Sequence, residues 1–289
     1  MSSLTKHPRE PDWANLSLPN TWPDQLDWKN PKSIARLLLH LLRRRRTVSI
    51  PDELWGKETI PQYVLQEFHN LPNGNYSNLL TRGYISGFDL SMLGRMQQAR
   101  QTIASNLQHC DSVLDLGCGG GAAAAAIHGR GVPDVWGLDP SPYLLRHAAR
   151  DHPGIHFVHG IMEDLPFPDD RFDGICVCFA FHEIPPSSIR EALKEIARVL
   201  KPGGLLMVAE PSAVQFQTSF LKMVRTYGWR GGYFRLLVRL VHEPYLGNWH
   251  DFPLAAAAFG RGLRIVKESD APPLKWWLLE RSALQAEGG

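Results

Sequence analysis

The residues best suited to chemistry lie between Val113 and Glu210. An apolar run, Val113-Leu-Asp115-Leu, leads into Gly117-Cys118-Gly119-Gly120-Gly121 and then into an alanine-rich stretch from Ala122. Glycine carries no Cβ, so such a backbone can turn sharply and lie close against a ligand. A helix beginning at Ala122 offers free N–H groups at its start. Asp115 stands just ahead of the turn and can accept a hydrogen bond from a ligand ammonium group. Asp139 follows roughly 20 residues later, at the end of the next apolar run, the spacing of a carboxylate that holds a ribose diol. Further on, Cys178-Phe179-Ala-Phe-His182-Glu183 puts an imidazole and a carboxylate at the end of another apolar run. His182 is a candidate general base or acceptor-orienting group, with Glu183 beside it.

The glycine turn by itself admits two cofactors. Gly117-x-Gly119-x-x-Ala122 fits the dinucleotide fingerprint, and a nicotinamide dinucleotide also carries a ribose diol. Asp115 argues the other way. It would face a pyrophosphate with like charge, whereas it suits a methionine amino group.

The elements around these residues alternate. Short apolar runs at 112–116, 135–138, 155–158, 174–179 and 205–209 read as buried strands. Helical patterns at 122–130, 142–151 and 187–200 lie between them, which predicts a parallel sheet with right-handed crossovers. Two more strands, 263–268 and 274–281, are joined by five residues, too few for a crossover, so this pair is predicted to be antiparallel. Ahead of the sheet, residues 1 to about 30 read as an irregular arm anchored by Trp13, Trp22 and Trp28. A helix is predicted from Pro31 to Arg46, a short one over 61–68, and a long one from Ser91, as N-cap, to Leu107.

Two further segments complete the pattern. Gly160-Ile-Met162-Glu163-Asp164-Leu-Pro-Phe-Pro follows the third strand, and Arg198-Val-Leu-Lys-Pro-Gly-Gly204 precedes the fifth. From Ser112 to Glu210 these ordered motifs resemble the class I S-adenosylmethionine-dependent methyltransferase family (methyltransferase domain types 11 and 25), in particular its ubiquinone/menaquinone-biosynthesis-like branch. The resemblance implies an α/β, Rossmann-like, seven-stranded and mostly parallel sheet with an antiparallel last strand. It implies S-adenosyl-L-methionine as cofactor, with Asp115, Gly117, Cys118 and Gly119 along its methionine part. Asp139 would take the ribose hydroxyls, and Pro140 and Ser141 would shape the adenine side. Cys178 and Phe179 would meet the methionine backbone. Ile161 stands where the family often has Asp, so the Met162 N–H and the Glu163 or Asp164 carboxylate would hold the adenine edge instead.

Residues outside the sheet are expected to select the acceptor. Tyr76, Arg82 and Tyr84 form one such group, and His242 and Tyr245, with Glu243, Trp249 and His250 nearby, form another. The predicted organisation is an N-terminal arm and helical cap over residues 1–108 and a methyltransferase domain over 109–289. The expected activity is methyl transfer to a small molecule. Oxygen, nitrogen, sulfur and carbon acceptors all fit it. A nucleic-acid acceptor held by Arg43–Arg46, or a non-catalytic cofactor-binding module, are the rival readings.

Composition excludes little else. The chain has 289 residues, a net charge of +2 and 44% hydrophobic residues, so charge alone selects no partner and nucleic acid is not favoured. No apolar run is long enough for a membrane span, the first residues lack a signal-peptide core, and a cytoplasmic location is expected. The cysteines Cys110, Cys118, Cys176 and Cys178 read as reduced core residues, and no metal site is expected from the spacing of His, Cys and acidic residues.

Overall fold

A computed structural model describes residues 10–27, 29–41 and 47–283. Helix α1 (Pro31–Leu41) is followed by α2 (Leu80–Ser91) and α3 (Arg95–Leu107). The sheet region runs β1 (Ser112–Leu116), α4 (Ala122–His128), β2 (Asp134–Asp139), α5 (Pro142–Asp151), β3 (His156–His159), β4 (Phe172–Cys178), α6 (Pro186–Val199) and β5 (Leu200–Pro211). Then come α7 (Ala213–Gln217), α8 (Phe220–Leu240), α9 (Leu246–His250), α10 (Leu254–Phe259), β6 (Leu263–Ala271) and β7 (Leu274–Arg281).

The seven strands form one sheet in the order β3-β2-β1-β4-β5-β7-β6. Strands β1 to β5 pair in parallel, and β7 runs antiparallel between β5 and β6. Both faces are covered, as a parallel sheet requires. Leu114, Leu116, Ile175, Val177, Leu206 and Val208 pack against α6 through Ile189, Leu193 and Ile196. Val113, Val135, Cys176 and Met207 face the other way, onto Ile103 and Leu107 of α3 and Ile127 of α4. Thus α3, which the sequence assigns to the cap, lies against the sheet. The four cysteines are unpaired; Cys178 is partly exposed and the others are buried.

The N-terminal arm is bound to the body by Trp13. Its indole is buried, meets Trp55 edge-on and donates to the Phe157 carbonyl at 3.0 Å and to Glu10 Oε2 at 3.0 Å. Trp22 packs on the His40 ring. Trp28 and Arg43–Arg46, singled out in the sequence, lie outside the described residues, as does the end of the helix predicted to reach Arg46.

Two expectations need correction, and one helix goes beyond them. The long helix predicted from Ser91 to Leu107 begins only at Arg95. Leu93 and Gly94 both take left-handed φ, 51° and 79°, and separate it from α2. Ser91 is therefore the last residue of α2, its hydroxyl donating to the Phe88 carbonyl, and not an N-cap. The helix expected at 61–68 is a pair of 3₁₀ turns, Gln62–Val64 and Phe68–Asn70. Helix α8 was not anticipated. Gly228, at φ 68°, kinks it, and Gly231 and Gly232 break its apolar period. These two glycines let its halves pack closely: a Cβ at Gly231 would come within 2.5 Å of the Met223 carbonyl oxygen.

Replacing Trp13 by Ala should lower unfolding stability by about 3–5 kcal/mol, as removal of a buried aromatic does. Urea unfolding followed by circular dichroism measures this, and a loss under about 1 kcal/mol would mean the arm is not held through its indole.

Candidate active site

Strand order reverses between β1 and β4, and the crevice lies at the C-terminal ends of these strands, where α/β sheets hold ligands. The turn after β1 is built on glycine. Gly117 has φ 68°, and a Cβ there would lie 2.6 Å from Ala180 Cβ and 2.8 Å from Met162 Cε. Gly119, at φ 53°, has open space where its Cβ would be. The Gly117 and Cys118 N–H groups donate to the Leu138 carbonyl, at 2.8 and 3.0 Å. Gly119 N–H donates to Asp139 Oδ2 at 2.9 Å, and Ser141 N–H to Oδ1 at 2.8 Å. One carboxylate thereby locks the glycine turn to the end of β2 and keeps lone pairs for a ligand hydroxyl.

Asp115 accepts from Ala124 N–H at 3.0 Å, at the start of α4, and faces the Cys176 thiol at 3.3 Å. Burial raises its pKa to about 6 and that of Asp139 to about 7. With a carboxylate already at the start of α4, a pyrophosphate would meet negative charge there. An ammonium would meet a buried acceptor. Arg100 also lines the crevice, paired in two-point fashion with Asp89 at 2.6 and 2.7 Å. Nothing in the sequence pattern marks it, because it comes from α3, before the glycine motif.

A second group of charges lies under the end of β4. Glu210 is wholly buried. Its Oε1 accepts from Ala180 N–H at 2.9 Å and Phe181 N–H at 2.8 Å, and its Oε2 lies 2.6 Å from His182 Nδ1. Burial alone would lower the pKa of His182. The Glu210 charge and hydrogen bond, then Glu243 and Glu183, outweigh burial and raise it to about 9. His182 Nε2 has no hydrogen-bond partner, and Glu243 Oε1 stands 3.8 Å away. His69 Nε2 meets Glu183 Oε1 at 2.7 Å, and His69 Nδ1 lies 3.5 Å from Glu243 Oε1. Burial opposes the Glu183 charge, but His69 and then His182 hold its pKa below the ordinary value.

The predicted residues converge unequally. Asp115, Gly117, Cys118, Gly119, Asp139, Pro140, Met162, Cys178, Phe179, His182 and Glu183 line one cavity of about 160 Å³. Tyr76 and Tyr84 close it from the N-terminal side, with His69, Phe88 and Ile85. Glu163 is not in its wall: Oε1 accepts from the Tyr63 hydroxyl. Nor are Arg82, His242 and Tyr245. Arg82 and His242 are exposed, and the His242 carbonyl accepts from His69 N–H. The Tyr245 hydroxyl accepts from Gln66 Nε2 at 3.2 Å. Glu210 supports the β4 loop from beneath instead of facing an acceptor. Among the described residues, no cluster of three or more His, Cys, Asp or Glu is arranged to hold a metal ion.

A second cavity, of about 390 Å³, shares His69, Tyr84, Phe88 and Phe179 with the first. Its walls are mostly apolar: Leu71 and Leu80, Met92 from just after α2, and Phe234, Leu237 and Val238 from α8. Glu243 stands in its wall. His69 and Phe179, where the two cavities meet, both have left-handed φ, 56° and 60°.

Residues 113–204 match the model of a family described as a methyltransferase domain. Over 98 residues the chain is 40% identical to an uncharacterized methyltransferase of Synechocystis sp., which covers 34% of this chain and 46% of that protein. Over 124 residues it is 34% identical to a demethylmenaquinone methyltransferase of Paenarthrobacter aurescens, covering 42% and 48% of the two chains. The chain spans about half the length of these curated relatives. Its fold is similar to that of human N-acetylserotonin methyltransferase, with a TM-score of 0.53 and 16% identity over 72% of this chain and 57% of that one. Sheet order and the reversed last strand define an α/β, Rossmann-like fold. The match to the methyltransferase domain spans Val113 to Gly204, about a third of the chain.

The His182–Glu210 pair should make stability depend on pH. The folded pKa of His182, about 9, lies above its ordinary 6.5. Its contribution is then fully present below about 6.5 and lost as pH rises through 9, on the order of 3 kcal/mol across that window. Urea unfolding at a series of pH values should show this decline, and a His182→Gln variant should flatten it. An equal slope in that variant would contradict the pairing.

Proposed function

We propose that this chain is an S-adenosylmethionine-dependent methyltransferase acting on a small molecule with an apolar body. The observation that carries the reading is the pairing of two cavities that meet at one seam. One is lined by Asp115, the glycine turn and Asp139, and the other is apolar with ionisable groups only where it joins the first.

The residues fit the cofactor. Asp115 is a buried acceptor for the methionine ammonium, and Arg100 a cation for its carboxylate. Asp139 keeps capacity for the ribose hydroxyls, and Gly119 presents bare backbone where a side chain would fill the crevice. Met162 lies on the adenine side, and Glu163 Oε2, buried without a partner, is an acceptor close by in sequence. When bound, S-adenosylmethionine supplies a methyl carbon on a sulfonium, open to in-line displacement by a nucleophile. The chain's own work is alignment and proton control. His182, held at Nδ1 by Glu210, remains protonated at neutral pH. Its Nε2–H therefore donates to an acceptor's electron-rich atom, and it orients instead of acting as a base. A proton leaving the acceptor at the seam meets the Glu243 carboxylate, 3.5 Å from His69 and 3.8 Å from His182.

Calorimetric titration with S-adenosylhomocysteine tests the cofactor assignment. An ammonium beside Asp115 lowers that group's pKa from about 6, so binding should release protons and tighten as pH rises from about 5 to about 7. Buffers of different ionisation heat report the protons, and Asp115→Asn should reduce the release. Gly117→Ala should weaken binding by about tenfold or more, since its methyl overlaps Ala180. No binding by the intact chain would sink the proposal.

A further inference from the structure

Helix α8 carries a face that the methyl-transfer reading does not use. Leu221 is 74% exposed, Trp229 66% and Leu240 72%, with Phe220, Tyr227 and Leu236 also exposed. A soluble helix normally turns such side chains inward. The kink at Gly228 folds the helix back on itself, so Tyr227 and Trp229 stand at the bend. Gly232, where a Cβ would meet Val224 and Phe220, keeps the two halves close.

The same segment is one-sided in charge. Lys222, Arg225, Arg230, Arg235 and Arg239 all lie in it, and there is no Asp or Glu from Pro211 to His242. Among the described residues none of these five cations is paired with a carboxylate. Arg230 stands over the exposed Trp229 ring, while Arg235, partly buried, turns Nε and one Nη inward. Exposed bulky apolar groups interleaved with unpaired arginines are the composition of a helix that lies in a lipid interface. The arginines select the lipid: a surface of anionic headgroups answers their charge. A protein partner would need an acidic, apolar patch of matching shape.

We infer that α8 docks the protein on an anionic phospholipid surface. Leu221, Tyr227 and Trp229 enter the interface, and Lys222, Arg225 and Arg230 hold the headgroups. Phe234, Leu237 and Val238 on the inner side of the second half of α8 form a wall of the apolar cavity. Resting on the proposed function, this sets one helix between the lipid and the acceptor cavity, a short path for an apolar acceptor.

The test is co-sedimentation of the full chain with vesicles, without methyl donor or acceptor, so that failure leaves the methyl-transfer reading standing. Vesicles of phosphatidylcholine with about one-third phosphatidylglycerol should bind the protein, less as salt rises, and pure phosphatidylcholine should bind it poorly. Leu221→Ser with Trp229→Ser, and separately Arg225→Gln with Arg230→Gln, should each cut the partition by about tenfold or more. All four side chains are exposed, so circular dichroism should confirm unchanged folding. Absence of binding to the anionic vesicles, or unchanged binding by both variants, overturns the inference. So does a dimer in light scattering that Trp229→Ser splits, which would give the face to a second copy. Tighter, salt-steep retention of an RNA hairpin than of vesicles would give it to nucleic acid.

Discussion

A carboxylate sealed from water must have its charge answered by donors around it, and Glu210 meets that demand in a way that organises the site. Two backbone N–H groups and one imidazole nitrogen converge on it, all from the loop after β4. That loop supplies Phe179, His182 and Glu183 and forms the edge against which Gly117 packs through Ala180. The position of the glycine turn, the charge on His182 and the seam between the cavities all follow from where Glu210 holds the chain. Its placement at the end of β5 in turn depends on β7, which pairs with β5 and closes that side of the sheet.

The sheet region was legible because its physics is local. Apolar runs of strand length, separated by amphipathic helices, leave few alternatives once crossovers are right-handed. All seven strands fall within a few residues of where the pattern puts them, and the short link before Leu274 reports the reversed strand. The glycine turn was legible too, since steric need writes itself as Gly117 and Gly119. What the pattern missed is tertiary. Arg100 sits on a helix that faces the sheet with one side and the crevice with the other. His69 owes its place to a left-handed backbone that no periodicity signals. Arg82 and His242 look like pocket residues by type, yet helix α2 leaves the first exposed and the loop after α8 the second. Helices α2 and α8 were obscured by internal glycines, which lower helix propensity and are tolerated here because packing compensates.

The two cavities divide labour by polarity. Buried carboxylates around the first favour a ligand with cationic and hydroxyl groups, while the second offers apolar walls and little to satisfy a charged body. The ionisable groups gather where the two meet. An arrangement of this kind places polar chemistry at one end of a mostly apolar guest.

The cap is stitched to the body at separate points. Tyr63 bonds Glu163 after β3, Ser141 after β2 bonds the Asn75 carbonyl, and His69 pairs with Glu183 after β4. These attachments ring the crevice on three sides. A ligand enclosed beneath them leaves no faster than the stitches part, so residence time in this crevice is governed by the breathing of the cap as much as by affinity. The weakest stitch, by its own chemistry, sets the clock.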